Sequence, residues 1–264
     1  MVAVDEAMDE MEALAWEPES GYADPYLVTT SYAARARELG AEIRLRAPAL
    51  GIEVSGDRVR AVVTPEGRVE TEAVVVAAGP WSRRELAKVG VDLPLIPVRH
   101  QVAFLTRPVD RLPHHPTVGD IAQSFSFRPD GSSMTLMGFG EDEEVNLDNY
   151  NQGVDMDVVA VTRGKLARRM PAMADSYFRG GWSGLFDTTP DWHPILDRAP
   201  GVEGLYCAVG FSGHGFKLSP MVGKTMAELI VQGRASSIDI SPLRYARFAE
   251  GDLMSSSYRY RVLA

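Results

Sequence analysis

Cysteine is nearly missing from these 264 residues, and Cys207 stands alone. One thiol excludes an internal disulfide and makes a cysteine-based metal site implausible. Long apolar runs are missing too, since none approaches the ~20 residues a bilayer-spanning helix needs. Net positive charge is absent: 27 Lys and Arg against 36 Asp and Glu leave a formal charge of −9. That balance argues against nucleic acid or an anionic membrane as the main partner, while local charge still decides whether a small anion binds. The first ten residues are acidic and lack the basic-then-apolar layout of a secretory signal, so a soluble, cytoplasmic protein is the expectation. The histidines are not paired with carboxylates at metal-ligand spacing, and no metal is expected. A dinucleotide-binding unit normally opens with a strand, Gly-x-Gly-x-x-Gly and a helix, and nothing here has that layout. Gly138-Phe139-Gly140 follows a strand pattern but runs into Glu141-Asp142-Glu143-Glu144, which would repel a pyrophosphate.

What is present is ordinary for a globular protein. The chain is 45% hydrophobic and 24% charged, long enough for a sizeable core in one large or two modest domains. Residues 1–20 read as a short helix or a lead-in. Asp24-Pro25 is a helix start, with Val28, Tyr32, Ala36 and Leu39 on one face and Gly40 as the stop. Ile43 and Leu45 alternate with polar residues as in a strand. Ile52/Val54, Val59/Ala61/Val63 and Arg68-Val69, separated by turn residues, predict a small β-meander.

Val74 to Ala78 is a continuous apolar run, the mark of a strand buried on both faces of a parallel sheet. It ends at Gly79-Pro80-Trp81-Ser82, where ligands of open α/β sheets sit, although many structural strands also end in glycine. Arg83 to Val89 can be helical. From Leu93 to about Phe186 the pattern changes to alternating strands, interrupted by a helix over Met156 to Arg169 that Pro171 ends. Asp191 onward returns to the first layer. From Pro242 a polar tail with a short helix is expected.

The stretch with the most chemistry is Gly204 to Ile230. Leu205 to Val209 predicts a strand, Gly210-Phe211-Ser212-Gly213-His214-Gly215 a turn, and Val222, Met226, Leu229 and Ile230 one face of a helix. Such a turn brings bare backbone N–H groups and a helix dipole to one point, a site for an anionic or polarised group. Gly-x-x-Gly-x-Gly also occurs in structural turns. Lys217, just past it, is either a cation for a docking carboxylate or a solvated lysine at a helix start. His214, between two glycines, contributes mainly backbone, with a catalytic base as the alternative. His193 either lines a pocket or is a hydrogen-bonded structural histidine. His114 and His115 read as surface, and Cys207 as a small buried hydrophobe.

Three blocks in order, with Tyr22-Ala23-Asp24-Pro25 before them, resemble the D-amino-acid oxidase-like superfamily of FAD-dependent enzymes. They are Glu72 to Ser82, Thr189-Pro190-Asp191-Trp192-His193-Pro194-Ile195-Leu196, and Gly204 to Ile230. The resemblance spans about Gly21 to Gly233. It implies a mixed α/β fold: an incomplete FAD-binding Rossmann-like layer (1–93 and 190–264) with an inserted antiparallel-sheet substrate domain (94–189). The first βαβ unit would be missing.

It also implies roles. The backbone near Val54, Ala78 and Gly79 would touch the adenosine half of FAD, with Trp81 close by. Gly210, Phe211, Ser212, Gly213, His214, Gly215 and Phe216 would hold the pyrophosphate-to-isoalloxazine region. Lys217 would reach the substrate carboxylate or the flavin edge, and Phe186 and His193 would face the substrate. Sarcosine oxidase-like members carry a flavin-linked cysteine where this chain has Gly184, so FAD would be non-covalent.

The activity implied is oxidation of an amino acid or secondary amine by hydride transfer from its α-carbon, with Lys217 and His214 as the catalytic candidates. The alternative is a partial apo subunit that needs a complementary N-terminal segment or partner subunit to bind FAD. In that case the isolated chain, with exposed sheet edges, would associate with itself or be poorly soluble.

Overall fold

The computed structural model describes residues 14–255, without the side chains of residues 140–142. The chain divides into two units, one built on Pro97–Leu185 and the other on Ala23–Ile96 with Phe186 onward. The lead-in expected over residues 1–20 lies mostly outside the described residues, and residues 14–20 hold no helix.

The second unit opens with α1, Pro25–Glu38. Asp24 caps it by accepting the Leu27 N–H at 2.8 Å, Pro25 takes the first helical position, and Gly40 follows at φ +94°. Its apolar face is not buried as expected: no residue of α1 is buried, and Tyr32 is 54% exposed. Ile43 and Leu45 lie in a loop rather than a strand, with Arg46 at φ +58° breaking the extension. The meander forms as expected from β1 (Gly51–Ser55), β2 (Arg58–Thr64) and β3 (Gly67–Glu70), paired antiparallel in that order.

The central layer is small. It contains β4 (Val74–Val76), β10 (Ile195–Arg198) and β11 (Leu205–Val209) in the order β10-β11-β4. β11 pairs antiparallel with β10 and parallel with β4. Alternation along β11 decides what covers each face. Leu205, Cys207 and Val209 pack with Val59 of the meander and Leu86 of α2 (Ser82–Ala87). Ala208 faces Met226 and Leu229 of α4 (Gly215–Gln232). Each fully buried aliphatic contributes ~1.5–3 kcal/mol, so β11, covered on both faces, anchors this unit.

β4 differs from its expectation as a strand buried on both faces. It is an edge strand three residues long, and Val75 is 41% exposed. The run is apolar enough for a sheet interior, but among the described residues it has a neighbour on one side only.

In the first unit, β5 (Ile96–Thr106), β6 (Val118–Asp120), β7 (Phe125–Asp130), β8 (Met134–Glu144) and β9 (Phe178–Thr188) form a sheet in the order β6-β7-β8-β5-β9. The pairs β6·β7, β7·β8 and β8·β5 are antiparallel. α3 (Met156–Arg169) spans the residues expected of it and packs Val159 and Leu166 against Leu105, Phe127 and Met137. Asp155 at its start accepts from Arg99 at 2.5 Å and Gln101 at 3.1 Å. His115 is not at the surface: it is fully buried, with Nε2 2.9 Å from Thr135 Oγ1 and its ring tilted against Phe127.

Beyond α4 a short turn and α5 (Arg247–Glu250) close the described chain, in line with the tail's expected short helix. No described helix is long and apolar enough to cross a membrane.

Candidate active site

The parallel pairing of β4 with β11 brings their carboxyl ends to the same edge, Cys207 opposite Val76. Ala78, Gly79 and Trp81 leave that edge from one strand and Gly210 to Gly215 from its neighbour. Ligands of open α/β sheets gather at such an edge. Trp81 is 40% exposed there. Val54 sits in β1, packed against the buried core that also holds Val76 and Val209, and the meander meets the layer where Arg58 bridges to Glu203.

The turn is an unusual piece of backbone. Gly210, Ser212 and Gly213 have φ of +73°, +49° and +84°. Gly210 could carry no side chain, because a Cβ would stand 2.5 Å from Thr189 Cγ2. Ser212 is fully buried and holds a left-handed conformation that costs a non-glycine residue ~1–3 kcal/mol. It is held by bonds to the end of β9. Its N–H donates to the Asp187 carbonyl at 3.0 Å, its Oγ accepts the Thr189 N–H at 3.3 Å, and its Oγ donates to the Gly210 carbonyl at 3.2 Å. The Gly210 N–H donates to Asp187 Oδ2 at 2.7 Å. These first donors of the turn are therefore satisfied internally. The free end of the cradle lies further on. His214 leads into α4 with no side-chain cap, which leaves the N–H groups of the helix's first turn open to an acceptor.

Three basic side chains gather at that end. Burial holds the His214 imidazole below its ordinary pKa, and Lys217 and His193 depress it further. His214 is thus a neutral imidazole at pH 7, beside a cation. Lys217 is exposed in the first turn of α4. His193 is half-buried, with Nδ1 2.7 Å from the Asp191 carbonyl, and so fits the structural reading while remaining close enough to influence His214. Phe186 is half-buried, one residue before Asp187 on β9.

Asp191 belongs to the Thr-Pro-Asp segment. Its side chain is 1% exposed and pairs with the fully buried Arg247, Nε to Oδ2 at 2.7 Å and Nη2 to Oδ1 at 2.9 Å. Burial alone would raise this carboxyl; the Arg247 guanidinium and the Met254 N–H bring it down to about 2. Sequence reasoning missed Arg247 and Asp187. Only the Thr-Pro-Asp motif hinted at the first, and nothing signalled the second.

Alongside the helix start runs a cavity of about 540 Å³. Val75 of β4 and Ala77 just beyond it form one wall, with Ala208 from β11, Tyr32 from α1, and Phe216 and Met226 from α4. An apolar chamber of this size ending at uncapped N–H groups is on the scale of a small-molecule or cofactor pocket. Its chemistry fits part of a dinucleotide: apolar walls for a flat ring portion and a helix N-terminus for a phosphate.

The sequence profile of the FAD dependent oxidoreductase (DAO) family matches residues 4–229. This chain belongs to that family, whose cofactor is FAD. Among its relatives, monomeric sarcosine oxidase of Bacillus sp. (strain NS-129) is 30% identical over 245 residues, covering 89% of this chain and 62% of the relative. Mitochondrial dimethylglycine dehydrogenase of Mus musculus is 28% identical, covering 91% and 30% respectively. The crystal structure of L-proline dehydrogenase from P. horikoshii superposes with a TM-score of 0.82 at 28% identity, over 90% of this chain and 63% of that one. The chain therefore spans less than two thirds of the length of these relatives.

Proposed function

We propose that this chain forms part of a flavin enzyme that oxidises a small amino acid or secondary amine, of the sarcosine, proline or N-methyl amino acid kind. The carrying observation is the basic corner at the uncapped start of α4, where Lys217 and His193 lie close enough to His214 to lower its pKa. FAD supplies the hydride acceptor. In this reading Gly213 to Phe216 present backbone donors to the cofactor, with Ala78, Gly79 and Trp81 at the neighbouring strand end and Val54 contributing backbone toward the adenosine side. Lys217 pins the substrate carboxylate, which orients the α-carbon. Phe186 and His193 flank the substrate. His214, neutral at pH 7, can hydrogen-bond without adding a second cation. Gly184 offers no nucleophile for a covalent link, so FAD binds non-covalently. A cytoplasmic setting accords with the acidic composition and the single buried thiol.

The test is the visible spectrum of the purified chain before and after FAD addition, followed by acid precipitation. Yellow protein that releases its flavin to the acid supernatant, and bleaches anaerobically with N-methyl or imino acids, is the expected outcome. Flavin retained in the pellet would refute the non-covalent assignment. Bound flavin that no amine reduces would refute the activity.

A second reading has its own observation. β4 is an open parallel edge with Val75 exposed beside the apolar cavity, and α1 buries nothing. A complementary strand-bearing segment or partner subunit would complete this layer and the cofactor site, and self-association is the substitute when it is absent. Val75→Lys should then shift the isolated chain toward monomer in sedimentation. An unchanged monomer before and after the substitution would dismiss this reading.

A further inference from the structure

We propose that Asp187 is the positioning residue of the Gly210–Gly215 turn, the buried acceptor that lays the turn onto the end of β9 and so aims the start of α4 at its ligand. This rests on the reading of that turn as the cofactor cradle. Asp187 acts from both of its acceptor groups. Oδ2 takes the Gly210 N–H at 2.7 Å, and its backbone carbonyl takes the Ser212 N–H at 3.0 Å.

Two neighbours extend the seam. Thr188 Oγ1 donates to the Ile96 carbonyl at 2.7 Å, and Thr189 gives its N–H to Ser212 Oγ at 3.3 Å. Asp187 at the end of β9 and Thr189 just beyond it thus template a turn in which Gly210, Ser212 and Gly213 all have positive φ, while Thr188 between them ties the strand end to Ile96. A backbone in that conformation persists only where its surroundings over-determine it. The seam supplies that constraint.

Among the described residues no cation pairs with the carboxyl to explain its burial. It is 9% exposed, and burial raises its pKa against the opposing N–H groups of Gly210, Asp187 itself and Phe211. A buried acid stabilised by backbone donors alone has a structural cost that a threonine or asparagine would not carry. What the side chain provides is an oxygen acceptor for the Gly210 N–H at the start of the turn. It also occupies donors that would otherwise bind an anion in the turn. That leaves the first turn of α4, four residues on, as the anion-seeking end.

The test is amide hydrogen exchange on the full chain, read at Gly210, Phe211 and Ser212, with Leu205–Val209 as internal control. Asp187→Leu, which removes the side-chain acceptor but keeps an apolar volume, should raise exchange at those three amides at least about tenfold with β11 unchanged. Asp187→Asn, whose amide oxygen can still accept from Gly210, should stay within about threefold of wild type. Should Asp187→Leu fail to fold, Asp187→Glu takes its place, because one extra methylene displaces the acceptor and should loosen the same three amides.

FAD titration gives the ligand arm. Affinity should fall at least about tenfold in the loosened variant and change little in Asp187→Asn. Unchanged exchange at residues 210–212, or a rise spread equally through β11, would overturn the proposal. Wild type that takes up no FAD would count against the flavin reading alone, since the exchange arm is read without ligand.

Discussion

Replacing Arg247 by methionine should cost the unit containing α4 and β11 about 3 kcal/mol. Methionine retains most of the stem volume, so the loss isolates the guanidinium. That group makes four hydrogen bonds: two to Asp191 at 2.7 and 2.9 Å, one to the His193 carbonyl at 2.7 Å and one to the Arg244 carbonyl at 3.0 Å. Removing one member of a buried pair costs ~3–5 kcal/mol, because the other charge stays buried without its partner. The lower end applies here, since Asp191 keeps the Thr189 hydroxyl at 3.1 Å and the N–H groups of His193 and Met254 at 3.2 Å.

The depressed pKa gives a second, smaller figure. A fall from 3.8 to about 2 is worth about 2 kcal/mol. That figure counts only the preference for charged over neutral Asp191, whereas the substitution also orphans two carbonyls, so the larger value governs at pH 7. The sign follows from the depressed pKa: the carboxylate's contribution is full above about pH 4 and is lost as pH falls toward 2. Arg247→Met should therefore lose more stability at pH 7 than near pH 2, where the loss of the two carbonyl hydrogen bonds remains.

Urea unfolding at both pH values, or a melting shift of roughly 6–12 °C at pH 7, is the assay. Arg247→Met/Asp191→Asn should recover more than about 1 kcal/mol relative to additivity. A loss under about 1 kcal/mol at pH 7, or one equal at both pH values, would refute the reasoning.

Gly210→Ala should destabilise by about 1–3 kcal/mol and abolish flavin uptake, since the new methyl meets Thr189 Cγ2 at 2.5 Å in a left-handed residue; wild-type-like melting and binding would contradict this. Lys217→Met, at an exposed position, should leave stability within about 0.5 kcal/mol while raising KM for a carboxylate-bearing amine much more than it lowers kcat. His100 is held neutral by burial, with its pKa lowered to about 4. The unfolded chain therefore binds the extra proton between pH 6.5 and 4, and stability falls as pH drops through that window. His100→Gln should flatten this slope, which is worth about 3 kcal/mol in the wild type, as read from melting temperature against pH.

The sequence by itself determined the local elements and the glycine turn. Asp24-Pro25, the helix over Met156–Arg169 that Pro171 ends and the alternation of the meander are short-range signals, each settled by a few neighbouring residues. Gly210 to Lys217 was legible for the same reason, since strand, turn and helix start follow one another in the chain.

Burial and partnership were decided only by the tertiary structure. An apolar run such as Val74–Val76 states that a strand forms, but not which of its edges acquires a neighbour. His115, flanked by prolines, reads as surface until Thr135 and Phe127 close over it. Asp187 lies 23 residues from Gly210 and Asp191 lies 56 from Arg247. No spacing rule connects such pairs, because a hydrogen bond needs atoms within about 3 Å and only the folded path of β9, β11 and α5 brings them that close.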